Sequence, residues 1–573
     1  MKKTLRYLKP YRSVVAAGLI LKFIGTVAEL FLPLLLEYII NNVATNPDLS
    51  SQIRISMLVY LGLAMLACSV TALLGNIFAN RLSVKSSGKM THDLRYDLFK
   101  KTCYLNSKQV DSFGTPSLIS RLTSDSYYVN QMVARTLRLG VRAPILILGG
   151  VILAFTRDTA LALVLLACLP LVGGTIVIIT KRSVPVYHSV QKKQDSMVSD
   201  VQENVTGVRV IKALNKGEYE SEQFDGLVKI LAAEEYKANK IMSLSNPLAG
   251  LILNIGLVAV IVVGAIRGNQ AGTVLAFLQY FVIILNAMIA LTKIFVVVSR
   301  GSASAARIEE VLETDVSEQI EESVERSQYK IEFKNVSFSY NGVKDNLKDI
   351  SFGISAGQTL GIIGATGSGK STIISLLMHF YDVRDGQILI DGKDVKSYSN
   401  KELRTKFGAV FQNDFLMSSS VRENVAYGRA LTEKEINKAI DDAQAREFVE
   451  GLEGGIEFNL AQKANNLSGG QKQRLLVARA LAGSPEIIVL DDSSSALDYA
   501  TDASLRKALA NGYASSTKII VAQRISSIKN ADLILVLDDG ELIGKGTHEQ
   551  LISSCDEYAM IYSVQMGGED AAA

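Results

Sequence analysis

The sequence predicts two fold classes in one chain: an α-helical membrane domain of six spans, then an α/β domain. Three observations predict it. Six apolar segments crowd the first half, each near or above the ~20 residues a bilayer-crossing helix needs. From Ile331 onward, short strand-like runs alternate with helical segments, the pattern of an α/β fold with a mainly parallel core sheet. Composition carries both signatures at once. With 48% hydrophobic residues, 20% charged residues and a mean hydropathy of +0.22, the chain is too apolar to be wholly soluble and too polar to be membrane throughout.

The spans are expected at 14–40, 57–79, 138–156, 159–180, 247–267 and 273–297. They must be helices, because a lone strand leaves its backbone groups unsatisfied in lipid. The first reads as a retained span, too long for a cleavable signal and without a small-residue cleavage pattern. Connections alternate short and long. NNVATNPDLSSQ, Arg157-Asp158 and RGNQAG are short, whereas the links after the second and fourth spans are long and helix-like. Each long link can hold two helices of ~25 residues, ~38 Å apiece at 1.5 Å per residue. Lys2, Lys3, Arg6, Lys9 and Arg12 crowd the N-terminus, and the long links are also basic. Positive charge near span ends marks the cytoplasmic side, so both termini and both long links are expected there. FGTPSLISRLTSD (113–125) and ENVTGVRVIKALNKGEYE (203–220) hold turn formers and are the expected tips of those links.

Polar residues interrupt the spans at Lys22, Glu29, Glu37, Asn254, Asn286 and Lys293. Such groups are costly in lipid and face a cavity or a partner helix. Lys22 and Glu29 lie two helical turns apart on one face. One reading is a pathway lining for polar or cationic substrates; the other is helix–helix pairing, or snorkelling for Glu37 and Lys293. Pro33 and Pro170 are expected to kink their helices.

Net charge is only +3, so nothing in the composition suggests a nucleic-acid partner. Cys68, Cys103, Cys168 and Cys555 show no metal or redox spacing. An amphipathic segment near 303–312 closes the membrane domain (1–312), and the acidic stretch 313–330 reads as a linker to the nucleotide domain (331–573).

There, TLGII is followed by Gly364-Ala365-Thr366-Gly367-Ser368-Gly369-Lys370-Ser371-Thr372 and then a helix. This is GxxxxGK[ST] in its required strand–loop–helix setting. The glycines let backbone amides close around phosphate, and the helix N-terminus adds a favourable dipole. Lys370 is placed for the β- and γ-phosphates, and Ser371 for Mg²⁺. Further on, Leu467-Ser468-Gly469-Gly470-Gln471 precedes KQRLLVARALAGSPEIIVLDD.

With the phosphate loop, LSGGQ and the aspartate-terminated strand in this order, the chain resembles the ABC transporters. Six spans followed by one nucleotide domain resemble the family's exporter half-transporters along nearly the whole chain. The resemblance implies an α/β core with a helical subdomain. It also implies two nucleotide domains that sandwich ATP between one chain's phosphate loop and the other's Ser468–Gln471 equivalent. Tyr340 then stands where an aromatic stacks on adenine, and Gln412 where a glutamine contacts Mg²⁺. Asp491 stands at the Walker B position that holds Mg²⁺ through water, and Ser495-Ala496-Leu497-Asp498 matches the D-loop. The link tips would be coupling helices.

Three positions depart from the family pattern. Asp492 follows Asp491 where exporters carry a glutamate that polarises the attacking water. Gln523 stands where a histidine contacts the γ-phosphate, and glutamine cannot become cationic. Gln462 replaces a customary glutamate. Asp492 and Gln523 belong to the site on this chain's own phosphate loop, whereas the parts lent to an opposite site match. The resemblance therefore implies a heterodimer in which this chain forms the degenerate site and a second half-transporter supplies glutamate and histidine. The bacterial heterodimeric multidrug exporters have this form, and the ending SCDEYAMIYSVQ is similar to theirs. Export of small amphipathic molecules, drug-like or lipid-like, across the cell membrane is the implied function, with ATP and Mg²⁺ as cofactors. The alternatives are a homodimeric lipid or peptide exporter with slow ATPase and a nucleotide-gated regulator or channel.

Overall fold

The computed structural model describes residues 2–316, 327–493 and 497–566. Two compact units emerge, Met1–Tyr104 with Phe113–Thr314, and Leu105–Ser112 with Asp315–Ala573.

Among the described residues of the first unit, six helices are long and apolar enough to cross a membrane. They are α1 (Lys3–Ala44), α2 (Ser51–Tyr104), α3 (Thr115–Phe155), α4 (Thr159–Thr206), α5 (Gly217–Ile266) and α6 (Ala271–Glu313). All run well past their apolar stretches. At 1.5 Å per residue α2 is roughly 80 Å long, far more than the ~30 Å of a hydrocarbon core. The segment near 303–312 is no separate helix but the end of α6.

Small residues let α1 and α2 touch through their backbones. A Cβ at Gly75 would lie 3.0 Å from Gly25 Cα and 3.0 Å from Leu21 O, the close approach that membrane helices gain from glycine. Leu30, Leu146, Leu161, Phe277, Tyr280 and Ile284 form the apolar centre of the unit. Pro33 lies inside α1 and lacks an N–H, and in the preceding turn Leu30 O accepts from Tyr280 OH at 3.0 Å. Glu37 accepts from Thr273 Oγ1 at 2.9 Å and lies 3.4 Å from Arg157, so it pairs helices. Asp125 is buried and accepts from Ser304 Oγ at 2.8 Å and Arg307 Nε at 2.9 Å, tying α3 to α6. Asn254 and Asn286 are exposed on this chain, and the Lys293 side chain lies outside those described.

The expected tip at 113–125 is displaced. Gly114 (φ +74°) starts a helix with Pro116 in its first turn, a position where proline's missing N–H costs nothing. The chain breaks earlier, at Leu105–Asn106, and the short helix Ser107–Phe113 follows. Its residues up to Ser112 belong to the second unit. There Tyr381 OH donates to Asp111 Oδ2 at 2.5 Å. In the other link the short helix Val208–Ala213 falls inside 203–220.

The second unit holds two sheets. β1 (Ile331–Phe338), β2 (Leu347–Ile354), β4 (Asp385–Ile390) and β5 (Lys393–Asp394) form an antiparallel sheet in the order β2-β1-β4-β5. β3 (Thr359–Gly364), β6 (Phe407–Val410), β7 (Ile487–Asp491), β8 (Thr517–Val521), β9 (Leu533–Asp538) and β10 (Glu541–Gly546) form the other, in the order β10-β9-β3-β8-β7-β6. Only the β9–β10 pair is antiparallel there. β7 is buried at every position, as a central parallel strand covered on both faces must be. A helical layer from Val421 to Leu481 packs around Val425, Ile436, Ile440, Leu475 and Val477.

Candidate functional site

The site is set by strand order. β8 lies between β3 and β7, so the C-terminal ends of all three open on one edge, where α/β sheets bind ligands. β3 delivers the phosphate loop, β7 delivers Asp491 and Asp492, and the chain leaving β8 delivers Gln523.

Two glycines are required by this geometry. A Cβ at Gly364 would lie 2.1 Å from Leu537 O on the neighbouring strand. Gly369 holds a left-handed conformation (φ +99°), and a Cβ there would lie 2.6 Å from Leu347 Cδ2. Gly369 is also the N-cap of α7 (Lys370–Leu377) and offers it no side-chain cap. Among the described residues, the first amides of α7 have no side-chain acceptor and the buried Ser368 hydroxyl has no hydrogen-bond partner. Lys370 Nζ donates to Gly364 O at 2.9 Å and Ala365 O at 2.7 Å, folded back across the loop. Burial lowers its ammonium pKa. Thr366 and Gly367 form the loop's exposed crest.

Ser371 Oγ donates to Asp491 Oδ2 at 2.8 Å, so the expected Mg²⁺-binding hydroxyl and carboxylate are adjacent. Burial raises the Asp491 carboxyl above the usual range, against the Ser371 hydrogen bond. Asp492 is left-handed (φ +51°) and its N–H donates to Val521 O at 3.0 Å. Its Oδ2 accepts from Gln523 Nε2 at 3.0 Å. Burial raises this carboxyl too. Two of the three departures read from the sequence, Asp492 and Gln523, thus meet in one hydrogen bond.

Tyr340 packs edge-on against Phe338 and Tyr381, with centroids 4.7 and 5.0 Å away. Its hydroxyl reaches Thr372 Oγ1 at 3.5 Å, and it keeps 48% of its surface exposed beside the loop. Gln412 is exposed just beyond β6.

The signature lies apart from this cluster, at the start of α8 (Gly469–Leu481). Ser468 Oγ accepts from Gln471 N at 3.3 Å, and Gln471 Oε1 accepts from Ser468 N at 2.9 Å, a reciprocal capping box. Gly469 and Gly470 are its first helical residues. Asp498 caps α9 (Tyr499–Gly512) by accepting from Thr501 N at 2.9 Å, which holds its carboxyl below the usual range. Ser495 and Ala496 lie outside the described residues.

Sequence reasoning missed Gln565. Its Nε2 donates to Gln523 O at 2.8 Å and its Oε1 accepts from Ile525 N at 2.8 Å, so the C-terminal helix straps the segment carrying Gln523. The ending SCDEYAMIYSVQ contains this residue, but no local pattern points from it to Gln523. Tyr381 was missed too, because its link between Asp111 and Tyr340 is purely tertiary.

Residues 15–288 match the family described as ABC transporter transmembrane region, and residues 347–495 the family described as ABC transporter. The chain is 34% identical to the "Uncharacterized ABC transporter ATP-binding protein YfiB" of Bacillus subtilis, over 99% of each protein. It is 32% identical to the "ATP-dependent lipid A-core flippase" of Photobacterium profundum, over 84% of each. The structure of a bacterial Atm1-family ABC exporter with ATP bound superposes with a TM-score of 0.83 over 97% of this chain and 98% of that one. Identity to it is 22%, and the likeness establishes the fold alone.

Proposed function

The chain belongs to the ABC transporter family, as an exporter half-transporter, and we propose that it is the weakly hydrolytic half of a heterodimer that exports small amphipathic molecules. The observation that carries this reading is the Gln523–Asp492 hydrogen bond of 3.0 Å. Asp492 is the carboxylate at the base position, and it is one methylene shorter than glutamate. General-base contact needs ~2.6–3.2 Å, and a misplacement of ~1 Å can cost about a hundredfold. Gln523 holds the short carboxylate through an amide and adds no positive charge. The Ser468 clamp and Asp498, both lent to the opposite site, keep the family pattern. A homodimer would own two weakened sites, whereas a heterodimer owns one weakened and one complete.

In this reading ATP enters at the open N-terminus of α7, and Lys370 exchanges its two loop carbonyls for phosphate oxygens. Ser371 and Asp491, with Gln412, would hold Mg²⁺; one hydroxyl and one carboxylate suit an ion that takes few protein ligands beside substrate phosphates. When bound, the ion neutralises phosphate charge. Tyr340 stacks on the base. The short helix Ser107–Phe113 is the first coupling helix, and the second lies at Val208–Ala213. The nucleotide domain and both termini face the cytoplasm. Relatives named as lipid A-core flippases favour lipid-like cargo.

The test is ATP hydrolysis by the chain purified alone and with a second half-transporter. Little hydrolysis alone and cargo-stimulated hydrolysis in the pair is expected. In the lone chain, Asp492→Glu with Gln523→His should raise the rate severalfold. Strong stimulated hydrolysis by the unmodified chain alone would defeat the heterodimer and favour the slow homodimer.

A further inference from the structure

A cavity of about 600 Å³ lies within the membrane unit, between α1, α2 and α3. We propose that it binds the anionic headgroup of an amphiphile, so that the cargo class of the exporter proposed above is anionic. Of the polar or cationic substrates that the polar residues in the spans suggested, this keeps the polar class and replaces the cationic one.

Four helices line the cavity, and three of them carry its polar groups. α1 contributes Lys22 and Glu29, seven residues apart. α2 contributes Asn76 and Asn80, four apart. α3 contributes Arg135, Arg138 and Arg142, on one face at i, i+3 and i+7. A π-helical turn, Thr136–Gly140, interrupts α3 within the arginine run, a distortion that often accompanies functional sites.

The charges do not balance locally. Glu29 is engaged by Arg142, whose Nη2 lies 2.8 Å from both carboxylate oxygens. Lys22 is only 3% exposed, yet its ammonium donates to neutral groups, Asn76 Oδ1 at 2.8 Å and Asn80 Oδ1 at 3.1 Å. Arg138 Nε donates to Ala134 O at 3.1 Å and Arg135 Nε to Gln131 Oε1 at 3.3 Å, both within α3. Among the described residues, Lys22, Arg135 and Arg138 have no ion pair. Arg142 Nε is buried without a hydrogen-bond partner.

Helix–helix pairing accounts for Glu29–Arg142 and for Lys22 with its asparagines. It does not account for Arg135 and Arg138, whose hydrogen bonds stay on their own helix. Arg138 is half-buried and Arg135 exposed beside a partly apolar wall, and an incoming phosphate or carboxylate would give both a counter-ion. Guanidinium groups suit such oxyanions because they donate in a planar fork. Leu32, Leu73, Leu139 and Ile294 on the same wall leave room for an acyl or ring portion. The volume falls within the ~300–1,000 Å³ common for small-molecule sites.

The test uses the full chain in a lipid-free nonionic detergent, alone and with its partner half. Three fluorescent probes share one acyl chain and end in phosphate, phosphocholine or trimethylammonium. The phosphate probe should bind about tenfold more tightly than the trimethylammonium probe. Arg138→Gln and Arg135→Gln should each weaken the phosphate probe by about threefold or more. Neither change strands a carboxylate, and the thermal midpoint of each variant reports whether the fold is kept. Equal affinity for the three probes, or preference for the cationic one, overturns the proposal whatever the variants do. The proposal and the export reading fail separately. Selective binding of phosphate without ATP-dependent transport into inverted vesicles sinks export and leaves the charge class standing. Transport of the neutral or cationic probe with no selective phosphate binding does the opposite.

Discussion

The nucleotide unit offers two helix N-termini for phosphate, and they are built in opposite ways. α7 begins at a left-handed glycine with no side-chain cap, beside a buried serine hydroxyl that has no partner. α8 begins at Ser468, closed by a capping box with Gln471. The first has unfilled donors and needs an anion to complete it. The second is already complete within this chain, so phosphate there must share or displace bonds that Ser468 and Gln471 make to each other. In the proposed reading, one end is a receptor in its own right and the other a clamp that acts when nucleotide is presented to it.

Three substitutions can break or sharpen that contrast, in order of expected effect, and a fourth serves as a control away from it. Lys370→Ala removes the ammonium folded over the open end, and ATP affinity of the chain should fall about a hundredfold. Equilibrium binding of a fluorescent ATP analogue measures it, and an unchanged affinity would mean that the open end is not the receptor. Gly369→Ala sets a Cβ 2.6 Å from Leu347 Cδ2 at φ +99°. Thermal unfolding should register a loss of about 1–3 kcal/mol. Ser468→Ala opens the capping box and should cost about 1 kcal/mol, with ATP binding at the chain's own loop intact. A larger loss of own-site binding would erase the distinction between the two ends.

The smallest effect lies away from both ends. Glu486 bonds Lys330 and Lys406, and the Lys330 hydrogen bond holds its carboxyl below the usual range. A lowered folded pKa adds stability above the unfolded value of ~4.3, and that stability is lost as pH falls through the folded value. Half-exposed as it is, Glu486→Gln should cost only about 0.5 kcal/mol near neutral pH and nothing in strong acid. pH-dependent unfolding checks this.

The phosphate loop, the signature and the aspartate-ended strand were legible because their chemistry fixes residue types at fixed spacings. The six spans were legible because lipid demands length and apolarity. What the sequence hid was tertiary. Lys22 and Glu29 could be placed on one helical face, but not the neighbour across from them. Arg135 and Arg138 carried no signal in the sequence, and only the fold gathers them with Lys22 around one cavity. The turn formers Gly114 and Pro116 pointed to a link tip, yet in this chain they start a helix.

Gly25 and Gly75 bring the backbones of α1 and α2 into contact, with Lys22 one turn from the first and Asn76 adjacent to the second. That contact leaves no room for a side chain between α1 and α2 at the level of the cavity. The cavity's arginines lie instead on α3, whose regular helical hydrogen bonding is broken by the π turn Thr136–Gly140.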